Sequence, residues 1–390
     1  MRTIMTIVGT RPEVIKMCRV IDRLDGVFRH VLVHTGQNHD PRLNQVFFDD
    51  LEIRPPDYYL DAAEGSVAAT IAAVITRSDE LFEKIRPDAL LIYGDTNSCL
   101  CVIPAKRRKI PVFHMEAGNR CFDQRVPEEL NRKVIDHLSD VNMVLTEHAR
   151  RYLLAEGLPG DRIFKVGSHL GEVLQHYAAK IGRSTVLESL GLSADNYFIV
   201  SLHREENVDD PVRLAQLVAA LDAIAREYSL PIVFSTHPRT RVRLDDAGLR
   251  VGSPLVRLLP PFGYTDYVRL QQSAYCVVSD SGTIFEEASL LDLPAVTIRD
   301  AHERPEGIDA GTLVVSSIQP ERIVDAIRLV RSSRTRGLPN AGSVRDYAAP
   351  SVSETVVRIV ASYIDIVNET VWRRGPSALQ LQEEADRTPS

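Results

Sequence analysis

Acidic side chains gather where apolar runs of this chain end. Gly94-Asp95-Thr96 follows the run Ala89–Tyr93, and His114-Met115-Glu116-Ala117-Gly118 closes the next one, Val112–Met115. If those runs are neighbouring parallel strands, Asp95 and Glu116 share one rim. Glu128, in Arg125-Val126-Pro127-Glu128-Glu129 at a helix start, then projects a third carboxylate back towards them. One acid at a strand end is often a helix N-cap. Three in nearby loops suit proton transfer at carbon and oxygen, where acids of raised and ordinary pKa work side by side. His203, in Ser201-Leu202-His203-Arg204-Glu205-Glu206-Asn207, closes a strand of the second half and either carries a proton or binds phosphate.

A second group of strand ends suits an anion. In Gly9-Thr10-Arg11-Pro12-Glu13, Gly9 permits a tight turn and Pro12 suits a first helical position. Arg11 and Lys16 then sit near a helix N-terminus, where anionic oxygen is held well. Ser279-Asp280-Ser281-Gly282-Thr283 follows an apolar strand and opens another helix. The N–H groups of Ser281, Gly282 and Thr283 are expected to point outward together as a diphosphate cradle. Glu287, one to two turns in, is placed to accept two ribose hydroxyls. Arg304, in Asp300-Ala301-His302-Glu303-Arg304-Pro305-Glu306, is a second phosphate contact, and His237-Pro238-Arg239 adds His237 as a weaker binding candidate. No metal constellation stands out: His34 and His39 flank Gly36-Gln37-Asn38, and His114 with Glu116 is too close for a usual site.

Strands must hold these loops in place. Thr3–Val8, Val31–His34, Ala89–Tyr93, Val112–Met115 and Val141–Leu145 read as buried parallel strands. Helical spacing lies between them at Glu13–Leu24, Val67–Ile85, Cys99–Arg108, Glu128–His137 and Ala149–Glu156. The pattern lapses over Ser168–Ala194. It restarts with strands Tyr197–Leu202, Ile232–Ser235, Leu255–Leu258, Cys276–Val278 and Ala295–Ile298, and helices Val212–Glu227, Tyr264–Gln272 and Ile284–Leu291. The reading is an α/β chain of two doubly wound, Rossmann-like domains, residues 1–170 and 190–350, facing a central cleft. Residues 351–371 form a terminal helix and 372–390 a flexible tail. Neither half carries G-x-G-x-x-G after its first strand, nor a P-loop, which weakens a dehydrogenase and argues against a P-loop nucleotidase.

The 390 residues, 44% hydrophobic and 25% charged, suit two globular domains. A net charge of -7 and few aromatics argue against a nucleic-acid surface. No run of about 18 apolar residues would span a membrane. The five scattered cysteines, Cys18, Cys99, Cys101, Cys121 and Cys276, read as reduced thiols of a cytoplasmic protein.

In order, Gly9-Thr10-Arg11-Pro12-Glu13, His34-Thr35-Gly36-Gln37, Gly94-Asp95-Thr96, Glu116-Ala117-Gly118, Pro127-Glu128-Glu129-Leu130-Asn131-Arg132, His203-Arg204, Ser279-Asp280-Ser281-Gly282 and Glu303-Arg304-Pro305-Glu306 resemble the non-hydrolysing UDP-N-acetylglucosamine 2-epimerase family. The resemblance spans roughly residues 3–315. It implies the GT-B-like two-domain arrangement, a C-terminal helix crossing back to the first domain, a homodimer and no redox cofactor. It also implies a reaction in which UDP leaves C1 as a proton leaves C2, giving a 2-acetamidoglycal to which both return. By resemblance Asp95, Glu116, Glu128 and His203 are catalytic, and Arg11, Lys16, Ser281, Gly282, Glu287 and Arg304 touch the UDP-sugar. Where the family runs Glu-Ala-Gly-Leu-Arg-Thr, this chain has Glu116-Ala117-Gly118-Asn119-Arg120-Cys121; Glu205 replaces an Arg, and His302 precedes Glu303. These departures resemble the branch making UDP-N-acetyl-L-fucosamine from a 2-acetamido-2,6-dideoxy-L-talose precursor, for surface polysaccharide. The alternatives are a UDP-N-acetylglucosamine 2-epimerase and, more distantly, a GT-B glycosyltransferase.

Overall fold

The computed structural model describes residues 1–36, 51–339 and 342–374. It divides into two compact units, residues 1–169 with 349–390, and residues 170–348.

In the first unit, strands β1 (Thr3–Val8), β2 (Arg29–His34), β3 (Tyr58–Tyr59), β4 (Ala89–Tyr93), β5 (Val112–Ala117), β6 (Val141–Val144) and β7 (Ile163–Lys165) form one sheet in the order β3-β2-β1-β4-β5-β6-β7. Every pairing described is parallel. β1 and β4 are buried along their whole length, which explains their continuous apolar sequence: helices cover both faces of such a sheet. The Arg11–Asp25 helix packs Val14, Met17, Cys18, Ile21 and Leu24 inward at three- and four-residue spacing. The Val352–Thr370 helix belongs to this unit and buries Val356, Val360, Ile364 and Val367, one stripe at near-regular fourth positions. Its first turn is tied to the Arg11–Asp25 helix by Arg23 Nε on Glu354 Oε2, 2.5 Å.

The second unit repeats the plan with β8 (Phe198–Ser201), β9 (Ile232–Ser235), β10 (Val256–Leu259), β11 (Cys276–Ser279), β12 (Ala295–Ile298) and β13 (Val314–Ser316), in the order β10-β9-β8-β11-β12-β13. In each sheet the strand order reverses beside the unit's first strand, between β1 and β4 and between β8 and β11. The loops leaving those strands therefore flank a switch point, where open α/β sheets place their ligands.

The α/β reading with two parallel sheets holds, and several local expectations are corrected. Residues 168–194 do not lapse into loop: Leu170–Gly182 is a helix burying Leu170, Val173, Leu174, Tyr177 and Ile181, and Val186–Ser189 adds another turn. The single helix expected over Cys99–Arg108 is a 3-10 segment, Asn97–Cys101, followed by Val102–Arg107. Strands β3, β7 and β13 and the Pro320–Thr335 helix were not expected. Gln37, Asn38, His39 and residues 375–390 lie outside the described residues.

Candidate active site

Glu116, next to last in β5, takes a left-handed conformation, φ +63°, where the β5–β6 register slips between Met115 and Ala117. An L-residue there costs about 1–2 kcal/mol. The bulge turns the carboxylate out of the sheet, where Lys16 Nζ meets Oε2 at 2.6 Å and the Tyr93 hydroxyl donates to the same oxygen. Lys16 comes from the second turn of the Arg11–Asp25 helix, so that helix places Arg11 and Lys16 at the end of β1.

Asp95 follows β4, which pairs with β5, so it shares the carboxyl edge with Glu116. Arg132 grips its Oδ2 through Nε at 2.8 Å and Nη2 at 2.7 Å, while Asn131 donates to the Asp95 carbonyl at 3.0 Å. Both partners lie on the Pro127–Leu138 helix, whose first turn carries the half-buried Glu128. Its neighbour Glu129 is fully buried. It accepts from Arg132 Nη1 at 3.0 Å and from the Cys121 and Phe122 amides at 3.0 and 3.2 Å, pinning the loop after β5 to the helix.

Two groups that sequence reasoning passed over organise this edge. Glu13, buried in the first helical turn, accepts from Gly9 N at 2.6 Å, Thr10 N at 3.3 Å and Thr96 Oγ1 at 2.6 Å. Burial pushes its pKa up to about 7 against those hydrogen bonds. Asp136, also fully buried, receives His114, Arg120 and the Gly118 amide. Both read as ordinary helical acids in sequence, and only the inward direction of their side chains distinguishes them.

In the second unit Asp280 binds the loop after β8. Its carboxylate accepts the His203 and Arg204 amides at 3.0 Å and Asn207 Nδ2 at 3.0 Å, with His203 Nδ1 at 3.3 Å. Burial lowers the His203 pKa, and the Asp280 charge opposes that. The His237 ring lies 6.0 Å from the His203 ring, and its Nδ1 caps the Pro238–Asp246 helix by accepting from Arg239 N at 3.2 Å. Glu205, the departure from the family pattern, holds Arg239 Nη1 at 2.5 Å.

The expected three-amide cradle is corrected. Ser281 N donates to Ser279 Oγ at 3.1 Å and Thr283 N faces Ser281 Oγ at 3.4 Å, so two of the three amides are engaged within the turn. Glu287 accepts from Thr283 Oγ1 at 3.0 Å and Gln271 Nε2 at 2.6 Å. Arg304 is 2% exposed and pairs with buried Glu286 at 3.1 Å, so the structure sets it inside the unit. The guanidinium groups beside Gly282 are those of Arg204 and Arg299: a Cβ on Gly282 would lie 3.7 and 3.6 Å from them. It would also lie 2.5 Å from Glu303 Oε1, and Glu303 pairs with Arg299 at 3.0 Å. Only glycine admits that approach.

Among the described residues no group of three or more His, Cys, Asp or Glu is arranged to hold a metal ion, and no helix is long and apolar enough to cross a membrane. All five cysteines are free thiols.

The family profile described as UDP-N-acetylglucosamine 2-epimerase matches residues 22–361. A solved UDP-N-acetylglucosamine 2-epimerase from Rickettsia bellii is 54% identical, covers 96% of this chain and 100% of its own, and superposes with a TM-score of 0.89. The Methanocaldococcus jannaschii UDP-GlcNAc 2-epimerase, solved in complex with UDP-GlcNAc and UDP, is 30% identical over 92% of this chain and 99% of its own, with a TM-score of 0.85. The UDP-2,3-diacetamido-2,3-dideoxy-D-glucuronate 2-epimerase of Pseudomonas aeruginosa is 35% identical over 329 residues, 83% of this chain and 91% of that protein. With its carboxylates, histidine and glycine turn standing on the matched sheets, this chain belongs to the UDP-N-acetylglucosamine 2-epimerase family.

Proposed function

We propose that this enzyme, an isomerase of UDP-sugars by family, inverts C2 of a UDP-N-acetylhexosamine by eliminating and re-adding UDP. A carboxylate removes the C2 proton, the C2–H electron pair becomes the C1=C2 bond of a 2-acetamidoglycal, and the C1–O pair leaves with UDP. UDP oxygen then returns to C1 as C2 takes a proton on the opposite face. The observation that carries the reading is the pair of carboxylates on one sheet edge, each fixed by a cation: Glu116 by Lys16 and Asp95 by Arg132. Two acids fixed independently can serve two faces of one carbon. We assign Asp95, Glu116 and Glu128 to proton transfer and to the oxocarbenium-like charge at C1, with His203 as the histidine of the reaction. Arg11, Lys16, His237, Ser281, Gly282, Thr283, Glu287 and Arg304 form the binding set. The chain works as a cytoplasmic homodimer without a cofactor.

For the substrate, Asn119, Cys121, Glu205 and His302 support UDP-2-acetamido-2,6-dideoxy-L-talose, giving UDP-N-acetyl-L-fucosamine for surface polysaccharide. The names of the relatives support the second reading, UDP-N-acetylglucosamine to UDP-N-acetylmannosamine. Incubation with each sugar in deuterated water tests both readings. Deuterium at C2 with the nucleotide still attached is expected, and turnover without that label rules out the elimination path. The sugar turned over with the higher kcat/KM decides the branch.

A further inference from the structure

His114 stands on β5 with its side chain 1% exposed, between Ile92 of β4 and Asn142 of β6. Its Nε2 lies 2.7 Å from the carbonyl of Gly94. That carbonyl belongs to the peptide entering Asp95, where the chain leaves the sheet through a left-handed glycine, φ +75°. Its Nδ1 lies 2.9 Å from Asp136 Oδ1. The Asp136 carboxylate in turn accepts the Gly118 amide at 3.2 Å and Arg120 Nη1 at 2.7 Å. Gly118 is two residues beyond Glu116 and has its own left-handed conformation, φ +79°. A Cβ there would lie 2.6 Å from the Ala149 carbonyl.

The contacts form one path: the Asp95 turn, the Gly94 carbonyl, His114, Asp136, the Gly118 amide, the Glu116 turn. His114 thus touches the Gly94 carbonyl with one ring nitrogen and stands at ion-pair distance from Asp136 with the other. Arg120 extends the cluster to Glu156 through two bonds of 2.7 Å. Such a cluster is rigid while complete and costly to break at one member.

We propose that His114, acting through Asp136, is a positioning residue that sets the spacing between Asp95 and Glu116. This rests on the reading of those two carboxylates as the acid–base pair. Both sit on turns with left-handed residues, linked in the backbone by Gly94 N to the Met115 carbonyl at 2.9 Å, and a displacement of about 1 Å at such a pair costs roughly a hundredfold in rate.

His114→Gln keeps a donor for Gly94 and loses reach to Asp136. Asp136→Asn keeps the shape and turns one acceptor into a donor facing Arg120 or His114. Hydrogen–deuterium exchange by mass spectrometry on wild type and both variants reads the positions directly. Faster exchange is expected over 93–98 and 114–122 together, with the second unit unchanged. Either variant alone decides the point if the other does not fold. Unaltered exchange at both turns, or an increase spread over the whole chain, overturns the proposal whatever the enzyme turns over. Steady-state kinetics on the sugar used by wild type adds the catalytic consequence. We expect kcat to fall roughly 10- to 100-fold with KM within about threefold, and the double variant to be no slower than the slower single one. Multiplicative losses in the double variant would separate the two residues and remove the path. Wild type inactive on every UDP-N-acetylhexosamine, with the two turns still loosened in the variants, would instead refute the proposed function and leave the positioning role standing.

Discussion

Lys16 Nζ lies 2.6 Å from Glu116 Oε2, joining the helix after β1 to the end of β5, and both side chains are nearly closed to solvent. The Tyr93 hydroxyl shares that oxygen, and Lys16 also stands 5.5 Å from the Tyr93 ring centre. Glu116 is thus anchored at one oxygen in a backbone conformation it would otherwise leave. Removing one partner of a buried pair leaves the other charge uncompensated.

Lys16→Met is therefore expected to lower kcat by about two orders of magnitude and to reduce thermal stability by several degrees. Lys16→Arg restores charge with a planar fork in place of a point donor and should recover only part of the rate. Kinetics and melting of both variants check this. A Lys16→Met enzyme with wild-type kcat would detach Lys16 from Glu116 function. Glu116→Gln should cut turnover at least as far while UDP still binds by calorimetry.

Arg132 holds Asp95 Oδ2 with two nitrogens and reaches Glu129 with the third. A lysine cannot make that fork, so Arg132→Lys should let the Asp95 carboxylate rotate. The expected result is a kcat about 10- to 100-fold lower with little change in KM, matched in direction by Asp95→Asn. A rise in KM with kcat preserved would reassign Arg132 to substrate binding.

The strands bearing the site were legible because they are fully buried and therefore unbroken apolar runs: Thr3–Val8, Ala89–Tyr93, Ile232–Ser235 and Ala295–Ile298 have the bounds expected. β3, β7 and β13 were not, since two or three residues give no periodicity to read. Leu170–Gly182 did carry a helical stripe, Leu170, Val173, Leu174, Tyr177 and Ile181, masked by polar residues between. At the site, Asp95 and Glu116 announced themselves by standing at strand ends. Glu13, Asp136 and Asp280 did not, because an acid in a helix or loop looks alike whether it faces water or a buried amide. The glycine turn misled for a related reason: hydroxyls flanking Gly282 suggest a waiting anion site, yet they first satisfy the turn's own amides.

Gly282 faces Glu303 Oε1 so closely that Gly282→Ala must move this carboxylate, whose other oxygen pairs with Arg299. The backbone there needs no left-handed residue, so the effect of alanine is steric. We expect UDP affinity to weaken by about tenfold or more, with the first unit's exchange pattern untouched. Calorimetric titration with UDP measures it. Unchanged affinity would move the diphosphate away from this turn.

Glu13 allows a prediction that depends on pH. Its carboxyl has a pKa of about 7 in the fold against an ordinary value of 4.5, because burial outweighs the hydrogen bonds from Thr96, Gly9 and Thr10. The fold therefore binds this proton more tightly than the unfolded chain does. Its contribution to stability is complete below pH 4.5 and is lost as pH rises from there through 7. Glu13→Gln has no proton to lose. Its amide can still donate to Thr96 Oγ1 while its oxygen accepts from Gly9 and Thr10, so the tie between the β1 and β4 turns survives. The stability of Glu13→Gln relative to wild type should accordingly climb by roughly 1.4 kcal/mol per pH unit, about 3 kcal/mol in all, and level off above neutrality. Urea unfolding of both proteins at several pH values between 4.5 and 8 measures the difference. A difference that stays flat, or that favours wild type as pH rises, would mean that Glu13 is ionised in the fold and held by a cation.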